Sequence, residues 1–355
     1  MILLDFSRPQ SEILAQLNPN EAWQESIFSF VKDWLNENVN TFQIQTSGST
    51  SIPKKLAHSR FQMQESARRT NAFFNIHQNT VLFLALPARA IGGRMMLVRA
   101  QLAGCKIYCT EPSSLPLSAI IADKTTVDFA AFTPMQCYEI LKNETQAKAF
   151  SQIKNAIIGG GKIPEELLTQ LRKQPNTIYE TFGMTETVSH IALRKIAPQM
   201  ETEFTCLPGI SISVNEDSLL QIHLPNRDLL KTNDIVKLNG NNRFAWISRA
   251  DDVINTGGIK VFANEIEAKL KPYIASPFFI THLPDEKFGQ KVILVIENSE
   301  ISDNAFSDLF SKVLSSFEKP KTILRASRFL YSEMGKLMRQ ASLNEVVKKN
   351  EQDSY

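Results

Sequence analysis

From about Thr80 onward, short runs of aliphatic, β-branched and aromatic residues alternate with helix-patterned stretches, and this alternation restricts the fold more than any other feature. VLFLAL at 81–86, KIYC at 106–109, VDFAAFT at 127–133, NAIIGG at 155–160 and NTIYETF at 176–182 have the length and apolar character of buried strands. Residues 92–102, 135–142 and 164–173 are predicted helices, the last with Pro164 at its first position, where the missing N–H is not needed. Parallel strands require such crossovers. The expectation is an α/β fold whose largely parallel sheet is covered by helices on both faces.

After Leu207-Pro208-Gly209 the rhythm changes to SISV, LLQIHL and FAWIS, separated by the turn clusters PNRD and NGNN. These read as hairpins of an antiparallel sheet or small barrel. Past Asp251 come a helix at 264–270, strands FFITHL and KVILVIE, and a helix at 304–317, a compact α+β unit. The 355 residues therefore divide at 1–250 and 251–355.

A net charge of +2 gives no strong field toward nucleic acid or anionic lipid. The most apolar stretch is stopped by Pro87, too short to span a bilayer, and the start has no basic segment followed by a long apolar one. Cys105, Cys109, Cys137 and Cys206 form no CxxC pair, and the five histidines show no zinc-ligand spacing. Reduced structural thiols in a cytoplasmic protein are expected, with no membrane insertion and no nucleic-acid partner.

Three segments suit phosphate and nucleoside chemistry. In QTSGSTSIPKKLAHS, five of the six residues from Thr46 to Ser51 bear hydroxyls, the sixth is Gly48, and Lys54 follows. Backbone N–H groups, hydroxyls and a cation so spaced can wrap a polyphosphate. The Walker A spacing is absent, and by itself the segment reads equally as a polar linker. ETFGMTETVSH follows a predicted strand, which places Thr185 for phosphate and Glu186 for Mg²⁺; a solvated acid at a helix start is the alternative for Glu186. Asp234, and then Arg249, Asp251, Gly257, Gly258 and Lys260 in SRADDVINTGGIKVF, form the third segment, which read alone is compatible with a turn.

Taken in this order, the segments resemble the adenylate-forming superfamily of acyl-CoA ligases, peptide-synthetase adenylation domains and luciferases. EMGKLMR at 333–339 resembles its carboxy-terminal lysine motif. The resemblance implies a large amino-terminal adenylate-forming domain, shortened at its start, of parallel sheets with helices plus a small antiparallel part. A small mobile α+β domain would carry the catalytic lysine. It implies ATP, Mg²⁺ and CoA, a carboxylic-acid substrate, and two steps: acyl-adenylate formation, then displacement of AMP by a thiol.

By the same resemblance, Thr46, Ser47, Gly48, Ser49, Thr50 and Lys54 form the phosphate loop. Gly159, Gly160, Gly161, Phe182 and Gly183 hold adenine; Thr185 contacts the α-phosphate; Glu186 is the magnesium ligand; Asp234 and Arg249 take the ribose hydroxyls. Lys336 bridges the attacking carboxylate and the α-phosphate, Asp251 is the hinge, Gly257 and Gly258 line the pantetheine tunnel, and Lys260 is a further cofactor-binding residue of the same motif. The sequence departs from the family pattern at Ser51 and Ser248, which replace glycines, and at Phe182, which replaces the more frequent tyrosine.

No carrier domain follows Arg339, which favours free CoA, and LPARAIGGRMMLVRA at 86–100 resembles o-succinylbenzoate:CoA ligases of menaquinone synthesis. That substrate carries a second carboxylate and needs a second anion site. The candidates are Gly92, Gly93, Arg94, Arg99, Ser189 and Arg194. Five positions apart on a helix, Arg94 and Arg99 do not share a face, so one is expected to face solvent. His190 reads equally as a packed neutral side chain or a substrate contact. An aryl- or medium-chain acyl-CoA ligase and a non-catalytic nucleotide-binding protein remain alternatives, and a homodimer is left open.

Overall fold

The computed structural model describes residues 1–45, 55–225, 227–331 and 337–352. The chain runs through β1 (Ile2–Asp5), α1 (Gln10–Ala15), α2 (Ala22–Leu35), β2 (Thr41–Gln45), β3 (Lys55–Ser59) and α3 (Arg60–Phe74). Four crossover units follow: β4 (Val81–Leu84), α4 (Ile91–Ala103), β5 (Lys106–Cys109), α5 (Ser118–Ala122), β6 (Phe129–Phe132), α6 (Pro134–Lys142), α7 (Glu144–Ser151), β7 (Asn155–Ile158), α8 (Glu165–Leu171) and β8 (Thr177–Gly183). Strands β4 to β8 lie parallel in the order β5-β4-β6-β7-β8.

Side chains alternate across this sheet. Leu82 and Leu84 pack with α2, α3 and α4 on one face, and Phe83, Ala130, Phe132, Ala156 and Ile158 pack with α6, α7 and α8 on the other. Because β5 and β6 flank β4, the order reverses there. The crevice outside the strand carboxyl ends is where such sheets bind ligands.

The hairpins do not close a separate barrel. Strands β9 (His190–Ala197), β10 (Phe204–Cys206), β11 (Ser211–Val214), β12 (Leu219–His223), β13 (Leu230–Asn239) and β14 (Arg243–Arg249) continue the same sheet. The junction is the antiparallel pairing of β8 with β9, Thr181 opposite Leu193. Together with β1 at the far edge, this gives twelve strands.

A second, five-stranded sheet begins four residues after Arg249, with β15 (Val253–Thr256), β16 (Ile259–Phe262), β17 (Phe278–Asp285), β18 (Gly289–Glu297) and β19 (Thr322–Ala326). Its β18 is again two-faced: Leu294 and Ile296 meet α9 (Ala263–Leu270) and α10 (Asp303–Val313), while Ile293 and Val295 meet α11 (Arg339–Gln352). Pro164 stands one residue before α8 as its cap, at a φ of −62° that proline favours.

All four cysteines are free and buried, and burial pushes the Cys105 and Cys206 thiols up to about 12. Burial and a raised pKa both disfavour the reactive thiolate. Among the described residues, no helix is long and apolar enough to cross a membrane.

Helix α6 begins at the carboxyl edge with a reciprocal cap. The Thr133 hydroxyl accepts from the Gln136 N–H at 3.2 Å, and the Gln136 carbonyl oxygen accepts from the Thr133 N–H at 3.0 Å. The Gln136 amide also donates to the carbonyls of Ala85 and Ser113, tying down the loops after β4 and β5. Thr133→Ala is expected to lower unfolding free energy by about 1 kcal/mol in a denaturant titration.

Candidate active site

Three glycines shape the carboxyl edge. A Cβ on Gly159 would sit 2.1 Å from the Thr181 hydroxyl, which itself donates to the Ile158 carbonyl. A Cβ on Gly183 would lie 2.5 Å from the backbone of Ser189 and His190, so only glycine lets the 184–189 turn fold back onto β8. Gly160, at a φ of +86°, turns the chain out of β7 beside Gly161.

Within the 184–189 turn, the Thr187 hydroxyl accepts from the Met184 N–H and donates to the Ser189 carbonyl at 2.7 Å. Buried Val188 is held at a φ of +73°, a conformation costly for a β-branched residue. The turn leaves Glu186 exposed and Thr185 half-buried beside it. Phe182 packs its ring edge-on against Phe244 at 5.0 Å and beside Phe204 at 5.7 Å, so the antiparallel core fixes its orientation.

Arg99 lies behind this turn and is 1% exposed. Its Nη2 donates to the Ser189 hydroxyl at 2.9 Å, its Nη1 reaches the Met96 sulfur at 3.5 Å, and its Nε has no partner among the described residues. Among the described residues no carboxylate pairs with it. Burial brings its pKa down to about 9. His190, also buried, hydrogen-bonds Thr70 at 3.1 Å and Ser189 at 3.4 Å. Burial first, and the Arg99 charge second, hold its pKa well below the usual value, so the ring is neutral.

Neither helix arginine faces solvent, contrary to expectation. Arg94 is half-buried, donating to the carbonyls of Ala88 at 3.0 Å and Gln43 at 2.7 Å beneath the Phe30 ring. The reason is that the first turn of α4 is itself covered. A Cβ on Gly93 would meet the Pro87 carbonyl at 2.3 Å, so the loop lies directly on the helix, and Gly92 faces Leu86. Arg194 is engaged too: it stands opposite Glu180 across β8 and β9, forms an ion pair with it, and lies over the Phe204 ring at 5.1 Å.

A second cluster lies on β13 and β14. Asp234 is 6% exposed, and its Oδ1 accepts from the Trp246 indole N–H at 3.0 Å with Arg249 at 3.8 Å. Arg249 also pairs with Asp251 at 2.9 Å, and the Asn233 amide donates to Asp251 at 3.2 Å. Gly257 and Gly258, at φ +61° and +80°, make the turn between β15 and β16 against Phe288, with Lys260 exposed after it. They belong to the second sheet, apart from both clusters. Thr46, Ser47, Gly48, Ser49, Thr50, Ser51, Lys54 and Lys336 lie outside the described residues; β2 and β3 on either side of the first group pair Gln45 with Lys55.

Thr70, Trp246 and Lys162 were not singled out by motif. Trp246 had one readable signal: alternation in FAWIS puts Phe244 and Trp246 on one face of a strand. Nothing local marks Thr70, which reaches His190 from 120 positions away.

A two-faced parallel sheet with polar groups gathered at the carboxyl ends of β7 and β8 defines the class, an α/β enzyme. Residues 1–218 match the family model described as AMP-binding enzyme, and the chain belongs to that family. It is 31% identical to an acyl-CoA synthetase (AMP-forming)/AMP-acid ligase II-like protein from Dyadobacter fermentans, covering 94% of this chain and 98% of that one with a TM-score of 0.64. It is 24% identical to 2-succinylbenzoate–CoA ligase of Escherichia coli, over 83% of this chain and 67% of that one. The fold also matches the Bacillus subtilis O-succinylbenzoate coenzyme A synthetase in complex with ATP and magnesium, at 19% identity, 85% and 69% coverage and a TM-score of 0.72.

The ion pair assigns Arg194 a structural task. Arg194→Met is expected to lower stability by about 3 kcal/mol, because Glu180 is left buried without its cation. Adding Glu180→Gln should restore much of the loss in a double-mutant denaturation cycle.

Proposed function

We propose that this chain is an o-succinylbenzoate:CoA ligase, acting through an acyl-adenylate. The observation that carries this reading is the buried Arg99 guanidinium, paired with no described acid and bonded to Ser189 three residues past Glu186. A buried cation is costly unless an anion reaches it. The ring carboxylate of a diacid supplies that anion, whereas a fatty or simple aryl acid does not. The named 2-succinylbenzoate–CoA ligase relatives support the same substrate.

In the first step the succinyl carboxylate oxygen forms a bond to the α-phosphorus of ATP as the bond to pyrophosphate breaks. In the second, the CoA thiol, losing its proton, attacks the acyl carbon and AMP leaves. Like charge opposes the first approach, so donors and cations at the reacting centre stabilise its transition state. Thr185 and Lys336 have that role here. Gly159 to Gly161 and Phe182 frame the adenine, and Asp234 and Arg249 take the ribose.

The exposed Glu186 carboxylate, unpaired among the described residues, fits Mg²⁺, which uses one or two carboxylates together with substrate phosphates. Bound there, Mg²⁺ would screen the phosphate charge. The rotation of residues 251–355 about Asp251, which would exchange Lys336 for the Gly257–Gly258 turn between steps, belongs to the same proposal. ATP and CoA as substrates, with four free buried cysteines, support a cytoplasmic setting. Self-association into a homodimer stays a proposal for sedimentation to decide.

The test is to incubate the protein with ATP, Mg²⁺, CoA and a pool of o-succinylbenzoate, benzoate and hexanoate and to identify the thioesters by mass. o-Succinylbenzoyl-CoA should dominate, with the monoacids slower by on the order of 10³-fold, since they leave Arg99 unpaired. Comparable rates for the monoacids would assign a general acyl-CoA ligase instead.

A further inference from the structure

We infer that Trp246 is a positioning residue for the nucleotide: its indole N–H holds one oxygen of the Asp234 carboxylate, leaving the other to accept from the ribose hydroxyls. This rests on the ATP reading above and adds to it a residue that acts through Asp234.

The geometry is built from both strands. Trp246 stands opposite Val236, so Asp234, two residues along β13, is its diagonal neighbour, and the register shift between Ile235 and Val236 sets Arg249 opposite Asp234. The N–H to Oδ1 distance is 3.0 Å, and Arg249 Nη1 lies 3.8 Å from the same oxygen. Among the described residues, Oδ2 receives no hydrogen bond. The backbone beneath is fixed as well: the Asp234 N–H donates to the Thr232 hydroxyl at 3.0 Å, which donates to the Leu220 carbonyl at 3.0 Å. On its other side the indole lies 5.8 Å from the ammonium of Lys162, the residue immediately after Gly159 to Gly161. Trp246 therefore spans the adenine turn and the ribose carboxylate.

A carboxylate's terminal torsion is soft, and Oδ1 and Oδ2 can exchange by rotation. A fixed N–H donor removes that freedom before the nucleotide arrives, which strengthens binding without a new contact to it. Arg249 does not duplicate the indole: its Nη1, at 3.8 Å, is beyond hydrogen-bond distance of that oxygen, and its Nη2 is bonded to Asp251 at 2.9 Å.

The experiment measures the affinity of the full chain for ATP and for 2′,3′-dideoxy-ATP by calorimetry, in wild type, Trp246→Phe and Trp246→His. Trp246→Phe should weaken ATP about tenfold and the dideoxy analogue less than about twofold, since the analogue has no hydroxyl for Asp234 to take. Trp246→His, which keeps a ring N–H, should recover part of the ATP affinity. Equal weakening of both nucleotides would make Trp246 a packing residue and overturn the inference, as would no effect. Should Trp246→Phe fail to fold, Trp246→His decides: more than about threefold better retention of the analogue's affinity than of ATP's supports the inference, and parallel loss overturns it. A wild type that binds neither nucleotide refutes the ATP reading, and the inference falls with it. A wild type that prefers ATP while both variants match it refutes the inference alone.

Discussion

A guanidinium buried with no acid beside it among the described residues is the constraint around which this site is arranged. Among the described residues Arg99 exchanges its hydration for one hydroxyl and one thioether, and its Nε goes unpartnered. Its neighbours are selected accordingly. His190 is neutral, Ser189 offers an oxygen, and the Thr187 hydroxyl locks the turn that presents Ser189. The positive φ of Val188 and the close approach of the backbone to Gly183 are further costs of presenting Ser189 behind the Thr185–Glu186 pair.

The rest of the sheet serves that edge from the nucleotide side. Extending the parallel strands by β9 to β14 brings Asp234 and Arg249 onto the same sheet as Gly159 and Phe182, with no second domain needed to carry them. Arg249 then faces two acids, Asp234 within the sheet and Asp251 just beyond it. A further bond, from the Asn264 amide to the Ile247 carbonyl at 2.7 Å, ties the second sheet's first helix to the end of β14. Anything that draws Arg249 toward a ribose also bears on the junction between the sheets.

Much of the fold was legible because it obeys local rules. The five parallel strands and the helices α4, α6 and α8 follow from the apolar runs and helical spacing, while α5 and α7 do not; Lys106 to Cys109 match their strand residue for residue. The joining of the hairpins to the parallel sheet was not legible, since it depends on the pairing of β8 with β9 and not on either strand's own pattern. In the site, motif order marked Thr185, Glu186, Asp234 and Arg249, while charge partners stayed hidden. Nothing within either segment says that Arg194 meets Glu180, or that Arg94 is spent on two carbonyls. Helical spacing separates Arg94 from Arg99 correctly, but it cannot report that a loop covers the face expected to be open.

The central claim is that Arg99 is kept for a substrate carboxylate and not for the fold. Arg99→Met tests it directly, through denaturant midpoints of the ligand-free protein and melting temperatures with and without o-succinylbenzoate. An apolar side chain of similar length relieves the buried charge, so the ligand-free variant should be at least as stable as wild type, and the diacid should raise the melting temperature of wild type alone. A ligand-free loss of about 3 kcal/mol or more, or equal stabilisation of both proteins by the diacid, would contradict the account.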